Sequence, residues 1–135
     1  MRQVTESLIK QYYELFNQRK IEAFLALLDD KVIHDINQGE TEVGIDAFGK
    51  FMQRMNHAYQ EKVTDLVIMA TEDGKRGSAE FFIDGVYLAT DEHLPEASNQ
   101  PYRLRCGAFF EINNNKIARV TNYYNMQHWL DQVQD

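Results

Sequence analysis

The stretch YRLRCGAFFEINNNKIARVTNYY, residues 102–124, decides how this chain folds. Asn113-Asn114-Asn115 separates two apolar-rich runs, and Asn tolerates the positive φ that a tight hairpin turn demands. Before the turn, Arg103, Arg105, Gly107, Phe109 and Glu111 alternate with Leu104, Cys106, Ala108, Phe110 and Ile112, the period-two pattern of a strand with unlike faces. After it, Val120, Asn122 and Tyr124 alternate with Thr121, Tyr123 and Asn125. The pattern predicts two antiparallel strands, 102–112 and 116–124.

Upstream, residues 61–71 and 76–89 read as a second long hairpin turned at Glu72-Asp73-Gly74. Thr90 to Pro101 between the hairpins is polar, acidic and without period. The first half is helical in rhythm. Val4, Leu8, Tyr12, Leu15 and Phe16 share a face over 3–17; Ile21, Phe24, Leu25 and Leu28 mark a short helix over 20–28; Ala47, Phe48, Phe51, Met52 and Met55 mark a third over about 46–59. Between the second and third lie a short strand, Val32 to Asn37, a turn at Gln38-Gly39-Glu40, and a return strand, Thr41 to Val43. The order α-α-β-β-α-β-β-β-β, with a short tail, predicts one α+β domain over 1–135 whose helices cover one face of a sheet.

Composition narrows the function. Lys and Arg number 14 against 21 Asp and Glu, a net charge of −7, and no basic stripe exists for nucleic acid. Apolar runs reach only five residues, as in Phe24 to Leu28, far short of a bilayer span, and no apolar leader follows Met1; a cytoplasmic protein without membrane contact is expected. A single cysteine, Cys106, forms no internal disulfide. The four His residues show no metal-ligand spacing, and no Walker, GxGxxG or GxSxG motif occurs, so neither metal nor cofactor is expected.

A few polar residues sit where structure alone gives no reason for them. Asp35 falls within a strand, where Asp is disfavoured; it either faces water on an edge hairpin or serves chemistry. His34 adjoins it, but neighbouring strand residues point to opposite faces, so the two do not form a direct dyad without a bulge. Tyr12 lies on an apolar helix face, where a hydroxyl wants a partner. Arg105 is costly if it faces inward unpaired and ordinary if it faces outward.

Tyr12 to Asn17, Leu27 to Asp35, Gly44 to Phe48 and the hairpin Phe109 to Val120 together resemble the NTF2-like fold, and within it the ketosteroid-isomerase and SnoaL-like group. The resemblance spans nearly the whole chain. It implies a cone in which a curved mixed or antiparallel sheet and three helices enclose an apolar pocket. It implies Asp35, nine residues before Gly44, as the proton-shuttling base, and Tyr12, five residues before Asn17, as oxyanion donor. The second donor, an acid in the family's isomerases, corresponds to Gly107, which has no side chain; Ile36 replaces the Pro that often follows the base. Arg105, Asn122, Tyr124 and His34 complete the expected ligand-binding set, with Thr90 to Pro101 at its rim. The implied activity is cofactor-independent, isomerase-like proton transfer on a small apolar carbonyl compound of steroid, polyketide or terpenoid type, in a homodimer paired through the outer sheet face. The other reading is a non-catalytic binding or assembly module of the same fold. Gly107 favours that reading, and Asp35 on the outer face would decide for it.

Overall fold

The computed structural model describes residues 1–134. Ten elements follow one another: α1 (Arg2–Gln18), α2 (Ile21–Leu25), β1 (Leu28–Asp35), β2 (Thr41–Val43), α3 (Ile45–Ala58), β3 (Tyr59–Ala70), β4 (Arg76–Tyr87), β5 (Gln100–Asn113), β6 (Lys116–Tyr124) and α4 (Met126–Val133). The strands make one sheet in the order β2-β1-β6-β5-β4-β3. All neighbours are antiparallel except β1 and β6, which run parallel, so the sheet is mixed. The fold class is the α+β class the sequence pattern predicts, in the cone that the resemblance implies, with four helices in place of three.

Two expectations change. The tail forms a fourth helix, for which Met126, Trp129, Leu130 and Val133 supply an apolar face at helical spacing and the Asn125 carboxamide caps the start by accepting from the His128 N–H at 3.1 Å. The first strand begins at Leu28, so the second helix is only the short Ile21–Leu25. The run Leu25 to Leu28 fits either period, and the parallel pairing of Leu28 with Ile117 settles it as strand.

The sheet curves because its ladders are interrupted. In β3 the register slips between Thr64 and Val67, with Asp65 at φ 54°, and in β1 it slips between Leu28 and Ile33. Such bulges bend and twist a strand locally. Helix α1 lies in the resulting concavity. Its end is a left-handed turn at Arg19, and the preceding Asn17 clamps β3, its amide donating to the Val63 carbonyl at 3.0 Å while its oxygen accepts from the Val63 N–H at 2.8 Å. Further along, Gly77 allows the close crossing, since a Cβ there would run into Ile9. Ile9, Phe24, Phe48, Phe110, Ile117 and Val120 are wholly or almost wholly buried where helices and sheet meet. Burying each such side chain contributes about 1.5–3 kcal/mol.

Candidate functional site

The concave face encloses a cavity of about 220 Å³ between α1, α3, α4 and the inner side of the sheet. Which residues reach it follows from strand phase. On β5, Leu104, Cys106, Ala108 and Phe110 are buried, whereas Arg103, Arg105 and Phe109 are exposed. On β1, Val32 and His34 are buried against the helices.

His34 is the polar group that the fold places most deliberately. It is 2% exposed, its ring stacks on Phe48 at 4.2 Å between centroids, and Phe51 meets it edge-on at 4.6 Å. Its Nδ1 is buried without a partner among the described residues. Burial pushes its pKa down to about 4 against the opposing pull of the Asp35 charge, so the imidazole is neutral at pH 7. Glu42 is its cross-strand partner in the β1–β2 ladder, and the Glu42 Oε1 is likewise buried and unpaired.

Asp35 faces the other way. Its carboxylate accepts from the hydroxyls of Thr121 and Thr41, each at 2.7 Å, and pairs with the Arg119 guanidinium at 2.6 Å. Those hydroxyls, Thr121 first, and the Arg119 charge hold its pKa below the usual carboxylate value. It lines an outer groove, not the cone cavity. The expected base is therefore corrected: with Val32 and His34 turned inward, strand alternation turns Asp35 outward.

Arg105 is corrected for the same reason. It lies on the outer sheet surface, over the Phe82 ring at 4.5 Å and 3.8 Å from Glu80. Gly107 borders the cavity but belongs to the outward-facing set, and the inward side chain beside it is Cys106. Burial pushes the Cys106 thiol up to about 12, which leaves it an inert apolar wall. Tyr12 does line the cavity, 6% exposed and in edge contact with Phe110. Burial raises its pKa well above the ordinary phenol value, so it stays a protonated donor. Asn122 and Tyr124 also face inward, and the Tyr124 backbone is held by Asn37, whose amide donates to the Tyr124 carbonyl at 2.9 Å.

Two carboxylates in the cavity wall escaped sequence reasoning. Glu61 on β3 accepts from the Tyr102 hydroxyl at 2.6 Å, and Asp91, in the acidic loop expected at the rim, accepts from the Tyr59 hydroxyl at 2.9 Å. Burial raises the Glu61 pKa, with the Tyr102 bond and the Arg19 charge opposing. The available signal was the inward phase of Tyr59, Glu61 and Val63, which puts an acid among core positions. The cavity thus combines an aromatic interior, a neutral imidazole, a phenol donor and two carboxylates. Among the described residues no helix is long and apolar enough to cross a membrane.

Comparison with known proteins agrees with this architecture. The chain matches the SnoaL-like domain over residues 9–120. It is 52% identical to a candidate polyketide cyclase of Pseudomonas putida KT2440 whose crystal structure superposes with a TM-score of 0.95, covering 96% of this chain and 97% of that one. A second candidate polyketide cyclase, from Xanthomonas campestris, is 48% identical with a TM-score of 0.96 and 98% coverage of each chain. An NTF2-like protein of Burkholderia xenovorans LB400, 14% identical, shares the fold with a TM-score of 0.79 over 100% of this chain and 98% of that one. No curated protein matches the chain. On the domain match and the two close structures, this chain belongs to the SnoaL-like domain family, on the NTF2-like fold.

Proposed function

We propose that the protein is a cofactor-independent enzyme that moves a proton on a small apolar carbonyl compound held in the cone, with His34 as base in place of Asp35. The observation that carries this is His34 itself: a neutral imidazole, buried in the cavity wall, with Nδ1 unpartnered. A ring nitrogen with pKa about 4 has the basicity of a carboxylate, enough for a C–H made acidic by an adjacent carbonyl. Enolate charge would form as that proton leaves. Tyr12, kept protonated by burial, is the donor for the developing oxyanion, and such a donor typically contributes about 10²–10³ in rate. The kinship to candidate polyketide cyclases supports a ring-forming or isomerising reaction of this kind.

A second reading, a carrier or sensor without catalysis, is the one the outward Asp35 decides for when Asp35 is the base, and Gly107, without a side chain at the family's second donor position, favours it too; the catalytic reading stands on His34 alone. A thermal-shift panel of phenols, enones and fatty acids on wild type, His34→Phe and Tyr12→Phe separates the two. A ligand at 100 times its dissociation constant raises stability by about 2.7 kcal/mol. Proton transfer requires selective stabilisation by phenols, as enolate mimics, that both variants reduce. Equal stabilisation by all apolar ligands in all three proteins would leave the carrier reading.

The assembly expected is a homodimer. The outer sheet face exposes Phe109 at 56% and Tyr123 at 58%, their rings 5.9 Å apart, beside exposed Val67 and Met69. Exposed apolar side chains on one sheet face, with Ser78 and Glu80 between them, suit a second copy of the sheet. Light scattering at the monomer mass would remove this assignment.

A further inference from the structure

The acidic end of the cavity is built with care that a structural hydrogen bond does not need. Tyr102 on β5 reaches Glu61 on β3 across the whole width of β4. The register makes this possible, because Glu61 pairs with Gly85 and Gly85 pairs with Tyr102. A Cβ at residue 85 would collide with the Tyr102 ring and hydroxyl. Glycine at this position therefore opens the lane along which the phenol crosses to the carboxylate. Beside it, Tyr59 holds Asp91 in the same way. The Tyr59 and Tyr102 rings each meet Trp129 of α4 edge-on, at 6.1 and 6.0 Å. Two carboxylates and a cluster of π-faces converge at one end of the cone.

The Arg19 charge eases the burial of Glu61 without pairing with it. Among the described residues neither Glu61 nor Asp91 forms an ion pair. Arg19 stands nearest, but its guanidinium donates to the Tyr59 carbonyl at 3.3 Å and does not border the cavity. Arg54 borders it only as an exposed residue over Phe51. His34 is neutral and has its own orphaned nitrogen in the same cavity wall, an independent sign that a polar ligand belongs there. A desolvated carboxylate without a counter-charge is costly, and a ligand that brings one removes that cost.

We propose that the cavity takes an apolar compound bearing a protonated amine, with the ammonium group seated between the Glu61 and Asp91 carboxylates against the rings of Tyr59 and Trp129. Carboxylates give charge-assisted hydrogen bonds, and the rings give cation–π attraction, best with Trp. The apolar body crosses the aromatic interior and brings its carbonyl-bearing part to His34, whose Nδ1 has no partner among the described residues. This proposal rests on the reading above that the cone holds a small apolar molecule, and it adds the class of that molecule.

The test is a matched series that varies only the head group: phenethylamine, phenethyl alcohol and phenylacetate, titrated into the intact protein by calorimetry at neutral pH. The amine is expected to bind about tenfold or more tighter than the alcohol, consistent with one charge-assisted contact, and the carboxylate weakest. In Glu61→Gln the preference for amine over alcohol falls by about threefold or more, Asp91 alone remaining to meet the ammonium, while alcohol binding stays within about threefold. The wild-type series decides by itself if the variant does not fold. Equal affinity of amine and alcohol, or preference for the carboxylate, overturns the amine proposal and leaves the apolar-ligand reading standing. Failure of all three, together with failure of the phenols and enones, overturns both.

Discussion

Replacing His34 by Phe should change how stability depends on pH more than it changes stability at any one pH. In the unfolded chain the imidazole titrates at its ordinary 6.5; in the cavity wall it titrates at about 4, because burial disfavours the charged ring. Between those values the unfolded state binds a proton that the folded state refuses. The contribution is therefore present above 6.5, lost as pH falls toward about 4, and constant below. The slope through the window is about 1.4 kcal/mol per pH unit, and the loss from pH 7 to 4.5 is about 2 kcal/mol. Phe occupies similar volume and can stack on Phe48 as the imidazole does, at 4.2 Å in the wild type, without titrating. Other groups titrate in the same range. Glu61, raised by burial, acts with opposite sign, since its folded form binds its proton more readily, and its contribution improves as pH falls. Asp35, held low by Thr121, Thr41 and Arg119, loses its contribution below the ordinary carboxylate value. These are common to both proteins, so the difference between wild type and His34→Phe isolates residue 34. Urea unfolding at several pH values from 7 to 4.5 gives that difference directly. Wild type should lose about 2 kcal/mol more than the variant across the range. A difference independent of pH would refute the buried neutral imidazole, and with it the base assigned here.

Other expectations are local. Asp35→Asn should cost about 1–3 kcal/mol through the weakened Arg119 and threonine contacts, measured by denaturant unfolding, while binding of phenols in the cone stays unchanged because the carboxylate faces the outer groove. Asn17→Ala removes two hydrogen bonds between α1 and β3 and should lower stability by about 1–3 kcal/mol on the same measurement. Cys106, buried and with its pKa raised to about 12, should resist a thiol reagent in the native protein and react after unfolding; rapid native labelling would contradict its placement.

The periodic parts of the fold were legible in the sequence. The two long hairpins have two unlike faces over nine to fourteen residues, and one-residue slips there would expose the whole core face, so the pattern carries its own register. Helix α4 was less visible only because it is short and follows directly on a strand, although its apolar spacing and Asn cap are present. The alternation in β5 stated the choice for Arg105 openly, and burial of Leu104, Cys106 and Ala108 decides it outward. Glu61 is harder to read from the chain. Its importance depends on Tyr102, which lies 41 residues away and becomes its partner only because Gly85 lies between them in the sheet.

The phase of β1 is where sequence reasoning met its physical limit, and the limit has a cause. Val32 and Ile33 are adjacent and both apolar, so alternation alone permits either phase, and the register slip between Leu28 and Ile33 erases the clue that Leu28 would otherwise supply. What breaks the tie is polar satisfaction. Outward, Asp35 meets Thr41 and Thr121, its register partners on the two flanking strands, and Arg119, two residues before Thr121 on β6. Inward, the same carboxylate would stand among Phe48 and Phe51, where an unpaired charge costs far more than a neutral imidazole does. His34 can lose its charge to enter that wall; Asp35, with its partners already outside, gains nothing by exchanging places. The site's chemistry therefore follows from one alternation: the strand delivers a weak neutral base to the cavity and keeps its carboxylate for the sheet's outer face.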